Sequence, residues 1–158
     1  MPDIHIEEFY RDAAIALLQL YSVFPRRINL FVEDIAGPDD PDEFGLHSPR
    51  HQACFGALLW LQEEGLLRYI DTIRQEALDQ AVLTQRAFVR LSMPAPEAIH
   101  PDLTLNASAP PVSASLMEDR STFIYLLREA IHKGSATTVG KVMREAFFHE
   151  PMGPASNH

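Results

Sequence analysis

The sequence predicts an α+β, mostly helical fold, and three features carry that prediction. Apolar residues recur at three- and four-residue steps in several separate stretches, the period of helices with one buried face. Among them "LLRYIDTI" (Leu66 to Ile73) alternates and is rich in β-formers, and "AVL" follows closely, so a small sheet is expected beside the helices. At Met93 the composition changes, and "PAPEAIHPDLTLNASAPPVSAS" carries five prolines among small residues. Residues 1–92 therefore read as the first domain and 93–115 as a proline-rich linker or arm. Residues 116–150 read as a helical C-terminal segment and 151–158 as a disordered tail.

A chain of 158 residues suits one domain, or one domain with a substantial appendage. With 46% hydrophobic and 22% charged residues there is apolar material for a real core. No apolar run approaches the roughly 18 to 20 residues of a membrane span, so no membrane association is expected. The N-terminus "MPDIHIEEFYRD" is acidic and lacks the basic-then-apolar order of a signal peptide. The single cysteine, Cys54, excludes an intramolecular disulfide and gives no zinc-ribbon spacing. A cytoplasmic location is the expectation. The net charge of −9 lowers the prior for nucleic acid, because phosphate neutralisation needs a basic face. Most of it lies before Met93, with 8 Lys and Arg against 15 Asp and Glu.

Taken in order, "IEEFYRDAAIALLQLYSVF" sets Phe9, Ala13, Ala16 or Leu17, and Leu20 on one helical face. Pro25 ends that helix, since proline disfavours helix in the residue before it. "RRINLFVEDIAG" offers an extended piece, Arg27 to Leu30, then a short helix, Phe31 to Ala36, closed by Gly37. "GPDDPDEFGLHSP" is a solvated loop with four acids, Asp39, Asp40, Asp42 and Glu43; it lacks the regular oxygen alternation and closing Glu of a calcium loop. Ser48 and Pro49 make a strong helix start, and the helix runs to about Glu64 and stops at Gly65. A strand from Leu66 to Ile73, a polar turn "RQEALDQ" and a second strand at "AVL" follow, then a short helix capped by Thr84. Beyond the arm, "SLME" (Ser115 to Glu118) is a capping box that opens a helix with Ile124, Leu127 and Ile131 on one face, ending at Gly134. A last helix, about Ala136 to Phe148, sets Val139, Val142, Met143, Ala146 and Phe147 at helical spacing.

Helix, strand, helix, loop, helix, strand, turn, strand, helix is the element order of winged helix-turn-helix domains, and Ile4 to Ser92 resembles them. "LLWLQEEGLLRY" looks like the end of a third helix entering the first wing strand, and "AVLTQRAFVRL" looks like the second wing strand and the helix after it. Bacterial regulators of this type often carry "LT-x-x-G" there; Ala87 stands at the glycine position, so the match is partial. The resemblance implies a winged-helix domain followed by a two-helix C-terminal segment, and a non-enzymatic DNA-binding transcriptional regulator. It puts the helix Pro49 to Glu64 in the reading position, with Arg50, His51 and Gln52 pointing outward to base edges. Arg26, Arg27, Arg68 and Arg74 would then meet phosphates of double-stranded DNA.

A second reading stays open, that of a protein–protein interaction module with this fold that does not read DNA. "ACFGALLWL" (Ala53 to Leu61) is apolar for nine residues, and a helix apolar all round is buried on more than one side. Its cover is either the C-terminal segment or a second subunit, which makes Phe55, Leu59 and Trp60 interface residues together with the acidic loop. Ile124, Leu127, Ile131, Val139, Met143 and Phe147 form stripes that must dock on the first domain or on a partner chain, and a homodimer is expected. His47, His51 and Cys54 lie close, with His51 and Cys54 on one helical face, but without a fourth ligand a cap histidine and a small buried thiol outweigh a metal or redox site. No metal or cofactor is expected. His5, His100, His132, His149 and His158 have no partner pattern. Neither "GxSxG", a phosphate loop nor a dinucleotide fingerprint occurs, and the pairs Glu7–Glu8 and Glu63–Glu64 point apart on helices. An enzyme is not the expectation.

Overall fold

The structure, a computed structural model, describes residues 3–99 and 120–148. It is α+β and mostly helical, with one small antiparallel sheet. The order is α1 (Ile4–Val23), β1 (Ile28–Phe31), α2 (Glu33–Ala36), α3 (Pro49–Glu63), β2 (Leu67–Arg68), β3 (Asp71–Ile73), β4 (Ala77–Leu83) and α4 (Gln85–Ser92). A 3-10 turn (Glu97–Ile99), α5 (Phe123–Lys133) and α6 (Ala136–Ala146) complete it. None of the described helices is long and apolar enough to cross a membrane.

β4 is the strand all others share. β1 pairs with it antiparallel, Leu30 opposite Leu78, and β2 does so with Leu67 opposite Leu83. β3 also pairs with β4, Ile73 opposite Ala77. The expected single strand from Leu66 to Ile73 is thus two pieces interrupted at Tyr69 and Ile70, and the expected polar turn is shorter. Only Arg74, Gln75 and Glu76 lie outside the ladder, because "ALDQ" is recruited into β4. Cross-strand pairing, which sequence alternation alone does not fix, decides both boundaries.

Local signals set the helix ends. Ser48 accepts a hydrogen bond from His51 N at 3.2 Å, and Pro49 fills the first helical position of α3. Gly65, at φ 77°, closes that helix, with Leu66 N reaching back to Leu61 O at 2.9 Å. Thr84 caps α4 through Ala87 N at 3.2 Å and also donates to Gly65 O at 2.7 Å, so one side chain joins the end of α3 to the start of α4. α5 starts at Phe123 with Thr122 as its cap, later than the "SLME" box suggests; Ser115 to Glu118 lie outside the described residues, as do His100, His149, His158 and most of the 93–115 arm. What is described of the arm is pinned. Ala95 N donates to Ser121 O at 2.8 Å, Phe123 N donates to Met93 O at 3.0 Å, and Ala95 and Ile99 are buried.

One core runs through the described molecule. Leu17 and Leu20 of α1, Cys54, Leu58 and Leu61 of α3, and Leu30, Leu67, Leu78 and Leu83 of the sheet belong to it, with Leu91 of α4. Phe123, Ile124 and Leu127 of α5 and Val139, Val142 and Met143 of α6 lie in the same cluster. α1 touches α3, α5 and α6, and its run of Ala13, Ala14 and Ala16, all fully buried, lets them approach. The C-terminal helices therefore dock on their own chain. Ile124, Leu127, Val139 and Met143 are core residues and not free interface, while Ile131 and Phe147 are half-buried against the core. The stripes that argued for a homodimer are spent in cis.

Candidate functional site

The first turn of α3 is held by a buried acid on α1. Asp12 sits four residues before Ala16 and eight before Leu20, on the buried side of α1, and is only 1% exposed. A carboxylate there needs a cation, and Arg50 supplies one as a two-pronged fork, Nη1 to Oδ2 at 2.7 Å and Nη2 to Oδ1 at 2.5 Å. Glu8, one turn earlier, adds an oxygen 3.4 Å from Arg50 Nε. These hydrogen bonds push the guanidinium pKa up further. Cys54 lies on the same inner face. Burial, then the Asp12 charge, pushes its thiol from an ordinary 9.0 up to about 12, so it is an inert thiol at neutral pH.

Arg50, His51 and Gln52 were expected to point outward. Arg50 instead turns onto Asp12, and His51 is 3% exposed. Gln52 alone is exposed, its amide donating to His47 O at 2.8 Å. The physical reason is the unpaired acid on α1, which the sequence pattern around α3 does not announce. Asp12 is the residue the sequence reading missed; its place on the α1 stripe was the available signal.

The turn between β3 and β4 also folds back. His51 Nε2 lies 2.8 Å from Gln75 O, and since a carbonyl only accepts, Nε2 carries the proton and donates. In the neutral ring that leaves Nδ1 with its lone pair, buried and without a hydrogen-bond partner among the described residues. It faces His47 and Asp39. The His47 and His51 rings stack in parallel, 3.9 Å between centroids at 9°, and His47 Nδ1 is 2.5 Å from Asp39 Oδ2. His51 Nδ1 is 3.7 Å from the same oxygen. Hydrogen bonds from Ser48, then His47, hold the Asp39 carboxyl well below the usual carboxylate range against the opposing pull of desolvation. The sequence reading paired His51 with Cys54; the structure pairs it with His47, one turn away, and sends Cys54 to the core.

The four expected phosphate-contact arginines are all exposed. Arg27 Nη1 donates to Gln80 O at 3.2 Å, and Arg26 precedes it in the α1–β1 turn. Arg68 lies opposite Val82, whereas Arg74 lies in the turn before Ala77. Five strand residues separate those levels, roughly 17 Å along β4.

Between the exposed polar residues Gln52 and Gln62, the outward side of α3 is small or apolar. Phe55 and Leu59 are half-buried against the core, and Trp60 keeps 39% of its surface exposed. Trp60 meets Phe9 edge-on at 5.3 Å and Phe148 at 5.5 Å, so the C-terminal segment provides part of the cover in cis. A cleft of about 280 Å³ beside them is lined by His51, Gln52, Phe55, Gly56, Leu59 and Gln75. A larger cavity, about 590 Å³, lies between α4 and the end of α6, with Arg90 in its wall. Arg90 is occupied there, donating to Ala146 O at 2.7 Å and Glu145 O at 3.1 Å.

No family, curated protein or solved structure matches the chain.

Proposed function

We propose that the chain is a non-enzymatic interaction module of winged-helix architecture whose α3 takes protein contacts and does not read DNA. The architecture is supported by the sheet order β1-β4-β2, with a helix before β2 and a hairpin after it. One observation carries the functional half: Arg50, the cation best placed for base edges, is spent on the buried Asp12. A guanidinium leaving that partner would strand a carboxylate in the core, a cost of several kcal/mol that one base contact of about 1–3 kcal/mol does not return.

The contact surface is the cleft side of α3 with Phe55, Leu59 and Trp60, together with the acidic loop ahead of the helix. In that loop Phe44 and Leu46 are exposed directly after Asp40, Asp42 and Glu43, while Asp42 Oδ1 fixes its turn by accepting from Phe44 N and Leu46 N, each at 2.9 Å. Apolar side chains set among acids suit a partner segment that is basic and apolar.

The test is a titration of the purified chain against fluorescein-labelled mixed-sequence duplex DNA from low to physiological salt, with an arginine- and leucine-rich amphipathic peptide as second probe. No DNA binding at low salt is expected, and peptide binding at least tenfold weaker in Phe44→Ser/Trp60→Ser. Salt-sensitive DNA binding that Arg68→Ala/Arg74→Ala abolishes would restore the regulator reading, with Arg26, Arg27, Arg68 and Arg74 as its phosphate contacts. Arg50 is unsuitable for this comparison, since its removal disturbs the core.

A further inference from the structure

We propose that Asp39, His47 and His51 form a site for one divalent transition-metal ion of the Zn²⁺ class, where the acidic loop meets the first turn of α3. Their ligand atoms all lie within 4.8 Å of one another, and two imidazole nitrogens with one carboxylate oxygen are a donor set such ions favour.

Three observations point to a cation there. The first is the orphan nitrogen. His51 is 3% exposed, donates Nε2–H to Gln75 O, and directs the lone pair of Nδ1 at a carboxylate oxygen 3.7 Å away. With the ring neutral, two electron-rich atoms face each other there, and a cation between them makes a bond to each. The second is the tautomer. A metal-binding histidine characteristically donates its other ring N–H to a backbone carbonyl, which fixes the ring and makes the ligating nitrogen more basic. His51 has that arrangement already, with the metal side bare. The third is the support of Asp39, whose side chain is 5% exposed and whose Oδ1 accepts from Ser48 N at 3.1 Å, leaving Oδ2 turned to the two imidazoles.

On binding, the ion takes the place of the hydrogen between His47 Nδ1 and Asp39 Oδ2, and His47 ligates as the neutral ring with its one proton carried on Nε2. An ion in the plane of both rings requires them to open from their parallel stack. His47 is the ring with room to turn, since its side chain is 21% exposed and it sits on the loop, not in the helix. With three protein ligands the fourth position falls to water. The ion would tie the loop to α3, and through Gln75 to the turn between β3 and β4, so the face carrying Phe44 and Leu46 is ordered by metal.

The experiment is calorimetric titration of chelator-stripped full-length protein with Zn²⁺, repeated on Asp39→Asn and His47→Ala, with circular dichroism to verify each fold. One ion per chain is expected, with affinity at least tenfold lower in both variants. Visible absorption after Co²⁺ loading should show tetrahedral bands in the wild type. Histidine nitrogen NMR should show Zn²⁺ shifting Nδ1 of His51 while Nε2 stays protonated. Absence of micromolar binding, or binding unchanged in both variants and hence due to other histidines, overturns the site. Should a variant fail to fold, the wild-type NMR decides: an unmoved His51 Nδ1 overturns the proposal.

Discussion

Asp12 and Arg50 are worth more to the molecule as a pair than either is alone. The carboxylate is inside, and the guanidinium reaches it from the rim of α3, so removing the cation leaves a buried charge with Arg11 as its remaining cation among the described residues, at 3.9 Å. Arg50→Ala is expected to cost about 3 kcal/mol, read as a fall in the urea midpoint at unchanged slope. Arg50→Lys should recover only part of that, because an ammonium cannot match both oxygens at once. Asp12→Leu/Arg50→Met, which removes both charges and keeps apolar volume, should lie closer to wild type than Arg50→Ala does. An Arg50→Ala protein within about 0.5 kcal/mol of wild type, the range of an ordinary surface change, would mean that solvent satisfies Asp12 and that Arg50 is available to a ligand after all.

Among the elements, the junction of α3 and α4 shows how much a single cap can hold. Thr84 serves two backbones, accepting from Ala87 N and donating to Gly65 O, and Arg86 Nη1 adds a second bond across the joint to Glu64 O at 2.5 Å. Thr84→Ala should cost about 1–2 kcal/mol in thermal or urea unfolding, while Thr84→Ser, which keeps both bonds, should cost less than half of that. Equal losses would assign the effect to the methyl group's packing. Thr84, Ser48, Gly65 and Gly134 were legible in the sequence because caps are local: residue type and backbone angle a few positions apart decide them. Elsewhere a distant segment decides. The strand breaks at Tyr69 because its register is set by β4, and α5 opens at Thr122, where Pro94 bridges to that same residue. In the candidate site the spacing of His47 and His51 was readable, four residues across a cap. What was not readable is the approach of Asp39, which depends on the course of a loop, nor the inward turn of Arg50, which depends on an acid 38 residues away.

Over the whole molecule, the proline-rich stretch precedes C-terminal helices expected to dock on the first domain or on a partner chain; α5 and α6 pack against α1, and α4 packs on α5. Arg90 lies over the Phe123 ring at 4.7 Å while capping the last carbonyls of α6. Gly140 marks the contact of α6 with α1, since a Cβ there would stand 3.4 Å from the Tyr10 ring. Phe123, Leu127, Val139 and Met143 are each nearly or fully removed from solvent. Burying four such side chains is worth roughly 6–12 kcal/mol before entropy, comparable to the 5–15 kcal/mol by which a whole domain is stable. A fragment of residues 1–92 would therefore expose the apolar side of α1 with nothing to offset the loss. It is expected to lack a cooperative thermal transition and dispersed amide signals, whereas the full chain shows one transition by every probe. Adding residues 116–158 in trans should restore the transition if docking, not chain connection, supplies the stability. A fragment that melts cooperatively on its own would instead make the C-terminal helices a detachable cover, and the aromatic cluster of Phe9, Trp60 and Phe148 the seam along which they leave.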